Sequence, residues 1–325
     1  MRFIVYGAGA IGGVIGWNLQ DAGHEVVFIA RGPHLAAMQA DGLRLAWPDG
    51  SRTLPVTAVG DPAEIEWRDD DVVIVAVKSQ QTAPALGRLA ATAPLATPIV
   101  CAQNGVSNEL AALRHFPNVY GMLVMCPAGH LRPGEVLAYS SPTQAGFDVG
   151  RYPSGTDATS AAIVAALDDG PFDARDEPDI MRWKRRKLIM NLGNAVDAAS
   201  GMRARFGDLG KQAEAEGEAA LAAAGLDVAT VEQDAARRDG LLQMHRVDGE
   251  RHPGSSSWQS LARGTGDIEA DFLNGEIVLL GRLHGVPTPV NAGLQRLARD
   301  LAAGHREPGT MTEDELAAAV DVDPA

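Results

Sequence analysis

The sequence predicts an α/β chain, with a doubly wound parallel sheet in its first part and helices alone in its second. Three observations carry that expectation. A glycine-rich turn, Gly7-Ala8-Gly9-Ala10-Ile11-Gly12, follows directly on an apolar strand-like run at the start of the chain. Strand-like and helix-like runs then alternate up to about Asp176, the pattern of βα units laid side by side. Beyond that point long Ala- and Leu-rich segments follow, without a convincing strand. The expected domains are residues 1–175 and 176–325.

Arg2 to Tyr6 ("RFIVY") is a β-branched and aromatic run that reads as a buried strand. Ile11, Ile15 and Leu19 then keep helical spacing until Gly23. In a G-x-G-x-x-G turn of this kind Gly7 permits the tight bend, Gly9 lets backbone approach a pyrophosphate, and Gly12 lets helix pack on strand. The amides of Ala8, Ala10 and Ile11 belong to the same anion-facing turn at the helix N-terminus. The next strand, Glu25 to Ala30, ends at Arg31, where a site for NAD carries an acid. A guanidinium there clasps a 2′-phosphate with two charge-assisted bonds and favours NADP(H).

Further strands are expected at Val72–Val77, Pro98–Ala102 and Val119–Met125, with helices at Thr82–Ala93 and Ser107–His115. Lys78 and Asn104 stand just past two of these strands, where such sheets bind ligands; each reads equally as a turn or helix-cap residue. Leu137 to Gly150 reads as an antiparallel hairpin around a Pro-containing turn. A helix over Thr156–Leu167 and a strand in "DGPFDARDEPD" complete the first part.

The second part is expected to start with a helix near Pro178. Val247 to Ser257 is polar, broken by Gly and Pro, and reads as a connector. Helix resumes over Asp267–Leu283, stops at "HGVPTP", and restarts with Thr288 as cap and Pro289 in the first turn. Thr312 with Glu315 caps a small helix before a frayed acidic end.

Composition narrows the function. Lys and Arg total 28 against 42 Asp and Glu, a formal net charge of −14, which repels nucleic-acid backbones. Aromatics at 5% leave few platforms for stacking bases. Cys101 and Cys126 form no metal-spaced cluster and read as reduced, packed thiols. No apolar run reaches the roughly 18 residues that span a bilayer, and the chain opens without a signal-peptide pattern, so a cytoplasmic protein without membrane or nucleic-acid partners is expected.

Against that acidic background, Arg182 to Lys187 ("RWKRRK") concentrates five cations ahead of an apolar segment. On a helical wheel with Lys187 at zero, Asn191 falls at about 40° and Asn194 at about −20°. Those three share a stripe, while Arg182, Arg185 and Arg186 point elsewhere and the remaining cations read as surface. Asparagines on an apolar helix are awkward to bury unless they have partners.

Taken together, "GAGAIGG", "VAVKSQQT", "AQNGV", "RWKRRKLIMN", "SSSWQS", "DIEADFLNG" and "HGVPTP", in that order, resemble the ketopantoate reductase (2-dehydropantoate 2-reductase) family from Met1 to about Arg306. The resemblance implies an NADPH-dependent reductase of a 2-oxo acid, with an N-terminal Rossmann domain, a helical C-terminal domain and an active site in the cleft between them. It implies that Lys187 is the catalytic lysine, Glu269 the acid beside it, Asn191 a substrate-binding asparagine, and Ser257 the holder of the substrate carboxylate; Asn194, one residue short of the family's second asparagine, is counted with Asn191 because the wheel keeps it on the working face. Lys78 and Asn104 correspond to cofactor-side residues. An ammonium aimed at a ketone oxygen stabilises the charge that hydride addition creates, and supplies the proton. The chain departs from the family pattern at Ala195, where a second asparagine is usual, and at Trp258 and Ser260, where Met and Asp are common. Those departures leave a different 2-oxo acid or ketone as an alternative substrate. A non-catalytic NADP(H) sensor is the alternative from another class, and a homodimer is left open as the assembly.

Overall fold

The computed structural model describes residues 1–205 and 207–320. Its first elements are β1 (Arg2–Tyr6), α1 (Ala10–Asp21), β2 (Glu25–Ile29), α2 (Gly32–Asp41), β3 (Leu43–Trp47), β4 (Gly50–Leu54), β5 (Thr57–Val59), β6 (Asp71–Val75), α3 (Thr82–Thr92), β7 (Ile99–Cys101) and α4 (Asn108–Leu113). There follow β8 (Val119–Met125), β9 (Ala128–Gly129), β10 (Glu135–Ala138), β11 (Ala145–Arg151), α5 (Ala158–Asp168), β12 (Phe172–Asp176), α6 (Ile180–Asn191), α7 (Asn194–Ser200) and α8 (Met202–Arg205). The chain closes with α9 (Asp208–Ala223), α10 (Val231–Arg238), α11 (Ser256–Ala262), α12 (Asn274–His284), α13 (Pro289–Ala303) and α14 (Glu313–Val320).

Alternation along β1 explains the main sheet. Phe3 and Val5 enter one core and Ile4 the other, so the strand is buried on both faces and apolar from Phe3 to Val5. Its neighbours β2 and β6 behave alike, and the sheet runs β12-β11-β8-β7-β6-β1-β2-β5. Neighbours are parallel except β8 and β11. Strand order reverses between β1 and β6, the switch point at which doubly wound sheets take ligands.

A second sheet, β4-β3-β10-β9, overturns the hairpin expected over Leu137–Gly150. β10 pairs with β3 in parallel and with β9 antiparallel, whereas β11 pairs with β8 and β12. Their apolar residues serve different cores: Tyr139, just past β10, packs with Ala46 and Val247, while Phe147 and Val149 of β11 join the main core.

The chain forms two compact units, Met1–Lys184 with Val231–His252, and Arg185–Thr230 with Pro253–Ala325. The division therefore falls within α6 rather than at Asp176. Ile180 and Met181 pack with Leu123, Met125 and Leu241, which keeps the first turns of α6 with the sheet. The returning segment is held there by Arg237 of α10, which donates to Asp148 of β11 at 2.6 Å and reaches Asp173 at 2.8 Å.

Among its described residues the second unit holds no strand. Leu188, Ile189, Leu192, Val196, Leu221, Ile277 and Leu294 are buried in it. Thr288 stands at the N-cap of α13 with Pro289 following, but its side chain makes no capping bond. The Glu216 carboxylate does that work, accepting from the amides of Val290 and Asn291 at 2.9 Å each, where the helix dipole favours an anion. Thr312 and Glu315 cap α14 reciprocally. The frayed end expected beyond it lies outside the described residues. No helix among the described residues is long and apolar enough to cross a membrane.

Candidate functional site

In the first unit the site begins at the turn between β1 and α1. Gly7 has φ +104°, and a Cβ there would meet the Val77 nitrogen at 2.8 Å; only glycine takes that bend without strain. A Cβ on Gly12 would stand 2.1 Å from the Gly7 carbonyl oxygen and 2.9 Å from Val5 Cγ1, so its absence lets α1 close onto β1. Gly9, the N-cap, is different: a Cβ there would meet nothing within 4 Å. The amide of Gly13 donates to the Gly9 carbonyl at 2.7 Å, and the amides before it have no acceptor along the helix. Open space in front of unengaged amides fits a dinucleotide pyrophosphate.

The other residues expected on the cofactor side fall along the same sheet edge. Arg31 is exposed directly after β2, at the N-cap of α2. Lys78 and Asn104 follow β6 and β7, both half-buried. A hydrogen-bonded net joins these two strand ends. Gln103 Nε2 donates to the Val77 carbonyl at 2.8 Å and to Thr82 Oγ1 at 2.7 Å, Thr82 donates to Asn108 Oδ1, and Asn108 Nδ2 donates to the Asn104 carbonyl at 3.0 Å. The unit thus brings Gly7–Gly12, Arg31, Lys78 and Asn104 to the carboxyl ends of four adjacent strands, β7-β6-β1-β2.

The cation cluster departs from the surface role expected of it. Lys184 is 2% exposed and its Nζ lies 2.7 Å from Oε1 of Glu109, which is fully buried. The same ammonium donates to the carbonyls of Gln103 at 2.7 Å and Met122 at 3.1 Å. Arg186 is buried too, donating to the Ala229 carbonyl at 2.6 Å and pairing with Glu218. Arg182 donates to Gln233 and Arg185 to the Asp227 carbonyl. None of the five cations is fully exposed. Burial, with Glu109 next in effect, pushes the Cys101 thiol well above its usual range, which marks it as a packing group and not a nucleophile.

In the second unit Lys187 is half-buried and Asn191 buried, one turn apart on α6. The wheel that placed Asn194 on their stripe assumed one continuous helix. Instead α6 ends at Asn191 and α7 starts at Asn194. The Leu192 carbonyl exposed by this break accepts from Asn274 Nδ2 at 3.0 Å, and Asn274 also donates to Asn291 Oδ1. Asn194 is 3% exposed, and its Oδ1 has no donor among the described residues.

Ser257 lies in the first turn of α11, the segment expected to be a connector, and is buried. Asp197 of α7 fixes that helix start by accepting from the Ser255 amide at 2.7 Å, and Ser255 Oγ accepts from the Trp258 amide as cap. Ser255 Oγ also reaches the Asn194 carbonyl at 3.5 Å, bringing Asn194 to the segment that carries Ser257. Glu269, buried, opens the 3-10 turn Glu269–Phe272. Burial lowers the pKa of Arg263, at the end of α11, while Asp267 and Glu269 work against that shift. Arg263 also donates to Ser260 Oγ at 3.2 Å.

Sequence reasoning passed over Glu109, Lys184, Gln103, Asp197, Ser255 and Arg263. Asn274 stood inside "DIEADFLNG" and Asn291 shortly after "HGVPTP", and an asparagine in an apolar helix was the signal available for both.

The chain matches the model for ketopantoate reductase PanE/ApbA over residues 3–152 and that for its C-terminal part over residues 179–302. It is 29% identical to a 2-dehydropantoate 2-reductase of Halobacterium salinarum over 311 residues, 92% of this chain and 98% of the relative. One from Archaeoglobus fulgidus is also 29% identical, over 93% of this chain and 98% of its own length. Among solved structures, a PanE/ApbA family ketopantoate reductase from Ralstonia eutropha superposes with a TM-score of 0.77 at 27% identity, covering 94% of this chain and 99% of its own. A D-mandelate dehydrogenase with NADH and anilino(oxo)acetate has the same fold, with a TM-score of 0.79 at 22% identity and coverage of 94% and 99%.

Proposed function

The chain belongs to the ketopantoate reductase family, and from that premise we propose that it is an NADPH-dependent oxidoreductase reducing 2-dehydropantoate to pantoate. The observation that carries the assignment of the site is the burial of Asn191, Asn194, Ser257 and Glu269 within one helical unit. Burying four such groups is costly unless each has a partner or a polar ligand, and Asn194 Oδ1 has no donor among the described residues. The groups suit a small 2-oxo acid.

When bound, NADPH supplies a hydride for the ketone carbon. The amides of the Gly7–Gly12 turn would hold its pyrophosphate and Arg31 its 2′-phosphate, with Lys78 and Asn104 on the cofactor side. Ser257 holds the substrate carboxylate, and Asn191 and Asn194 orient the carbon chain. The Lys187 ammonium stabilises the charge growing on the ketone oxygen and delivers the proton there, leaving the 2-hydroxy acid and NADP+. Solvent returns the proton to the amine. Set beside that amine, as the family pattern implies, the Glu269 carboxylate would orient it toward the ketone oxygen. We place the enzyme in the cytoplasm, in keeping with its two free cysteines, and a homodimer is the assembly to test by light scattering.

Lys187→Ala should lower kcat by about 10²–10⁴ while NADPH affinity stays near that of the unmutated protein. Unchanged turnover in that variant would overturn the assignment, and NADPH binding without turnover of any 2-oxo acid would favour a sensor. A second substrate remains in view because Ser260, where the family commonly has Asp, gives Arg263 a hydroxyl in place of a carboxylate. Assays across a panel of 2-oxo acids discriminate between the two substrates.

A further inference from the structure

The glycine turn is held from behind by a histidine. His34 of α2 bonds the Ala8 carbonyl through Nε2 at 2.8 Å, and its Nδ1 accepts from the Gly134 amide at 2.9 Å. An amide can only donate, so Nδ1 carries no proton and Nε2 does. The ring is therefore neutral and of one tautomer, and it clasps three segments: the glycine turn, α2 and the turn before β10. A Cβ on Gly13 would stand 3.0 Å from the same Ala8 oxygen, so that carbonyl lies close against the first turn of α1.

We propose that His34 is a positioning residue for the dinucleotide: in its neutral form, anchored by the Gly134 amide, it keeps the Ala8 carbonyl turned back, so that amides alone face the pyrophosphate, and acidification frees the ring from that anchor. The inference rests on the NADPH-binding function proposed above. A carbonyl swung toward the pyrophosphate would set partial negative charge against the ligand's own, where the helix N-terminus otherwise attracts it. A second proton on His34 must go on Nδ1, where it meets the Gly134 N–H head-on and breaks that bond.

Burial already favours the neutral ring, and the Ala8 carbonyl only partly offsets it. His130 lies with its ring centroid 4.3 Å from that of His34 and its Nδ1 2.9 Å from the Glu135 carbonyl; a charge on either ring opposes one on the other. Other charges on the surrounding elements, among the described residues, are Arg31 and Asp41 at the two ends of α2, Arg132 in the turn before β10, and Arg44, which pairs with Glu135 at 2.5 Å and with Asp248 at 2.9 Å. Because the folded-state pKa is lowered, the bond from the Gly134 amide is intact above the ordinary histidine range and is lost as pH falls through the folded value, leaving the ring held by the Ala8 carbonyl alone.

The test is NADPH affinity by calorimetric titration between about pH 5 and 8, on the full chain, for the unmutated protein, His34→Gln and His34→Leu, with apo-protein melting in parallel. Glutamine keeps a donor for the Ala8 carbonyl and cannot gain a charge. At neutral pH we expect His34→Leu to bind roughly tenfold more weakly and His34→Gln to recover most of that loss. On acidification the unmutated protein should lose more affinity than His34→Gln, whose residual dependence belongs to the 2′-phosphate and His130. Normal binding by His34→Leu, or a pH profile of His34→Gln identical to that of the unmutated protein, overturns the inference alone. If His34→Leu fails to fold, the pH comparison with His34→Gln still decides. Absence of NADPH binding by the unmutated protein would overturn the functional assignment and this inference with it.

Discussion

Replacing Lys184 by Met should destabilise the first unit by an amount that follows from its surroundings. The ammonium is 2.7 Å from a fully buried Glu109 carboxylate and also serves the carbonyls of Gln103 and Met122. Methionine fills much of the volume but leaves the carboxylate without its cation. Stranding one member of a buried pair costs about 3–5 kcal/mol. At roughly 2–4 °C per kcal/mol for a unit of this size, the melting transition should fall by about 6–20 °C. Scanning calorimetry is the suitable assay, because two compact units need not unfold in one step. The double variant Lys184→Met with Glu109→Leu removes the stranded charge and should recover part of the loss, but not all, since the carbonyls stay unpaired. A single variant melting within about 2 °C of the unmutated protein would refute the reasoning, as would a double variant no more stable than the single.

The glycine turn predicts opposite effects at two positions. Gly12→Ala, whose Cβ would stand 2.1 Å from the Gly7 carbonyl oxygen, should cost about 1–3 kcal/mol or more of stability by overpacking, read as a lowered melting temperature. Gly9→Ala, open on every side in the protein, should melt near the unmutated value yet bind NADPH at least about tenfold more weakly, a change of about 1.4 kcal/mol, as seen by fluorescence titration. Arg31→Ala should weaken NADPH roughly ten- to hundredfold and leave NADH nearly unchanged; equal affinities for the two cofactors in the unmutated protein would exclude the 2′-phosphate contact.

The sheet was legible in the sequence wherever its strands are buried on both faces. β1, β6, β7 and β8 are short apolar runs closed by turn residues, and each lies within a residue or two of its expected place. From Gly32 to Val59 the signal fails for a physical reason. Only Met38 of α2 is buried, and β4 is exposed along most of its length, so neither has an apolar period to read. β10 and β11 failed differently: each was correctly strand-like, but pairing is a long-range choice. Of the two partners of β10, β9 is near but β3 lies far back in the chain, and local turn chemistry does not encode that pairing.

The site divides along the same line. The glycine turn was legible because local geometry dictates it, and the placing of Lys187 one turn from Asn191 because one helix carries both. Asn194 was placed on that stripe by extending a helix through Leu192 and Gly193. The break is held by Asn274, a residue far along the chain whose side chain takes the Leu192 carbonyl. The cluster "RWKRRK" shows why charge density alone misleads. Neighbouring cations on a helix differ by about 100° in direction, so residues adjacent in sequence meet unrelated surroundings. Lys184 finds Glu109 and the ends of β7 and β8, Arg186 finds the Ala229 carbonyl and Glu218, and Lys187 falls on the stripe with Asn191. An acidic chain can keep five cations together because their partners are drawn from distant segments, and the fold, not the local sequence, decides what each of them meets.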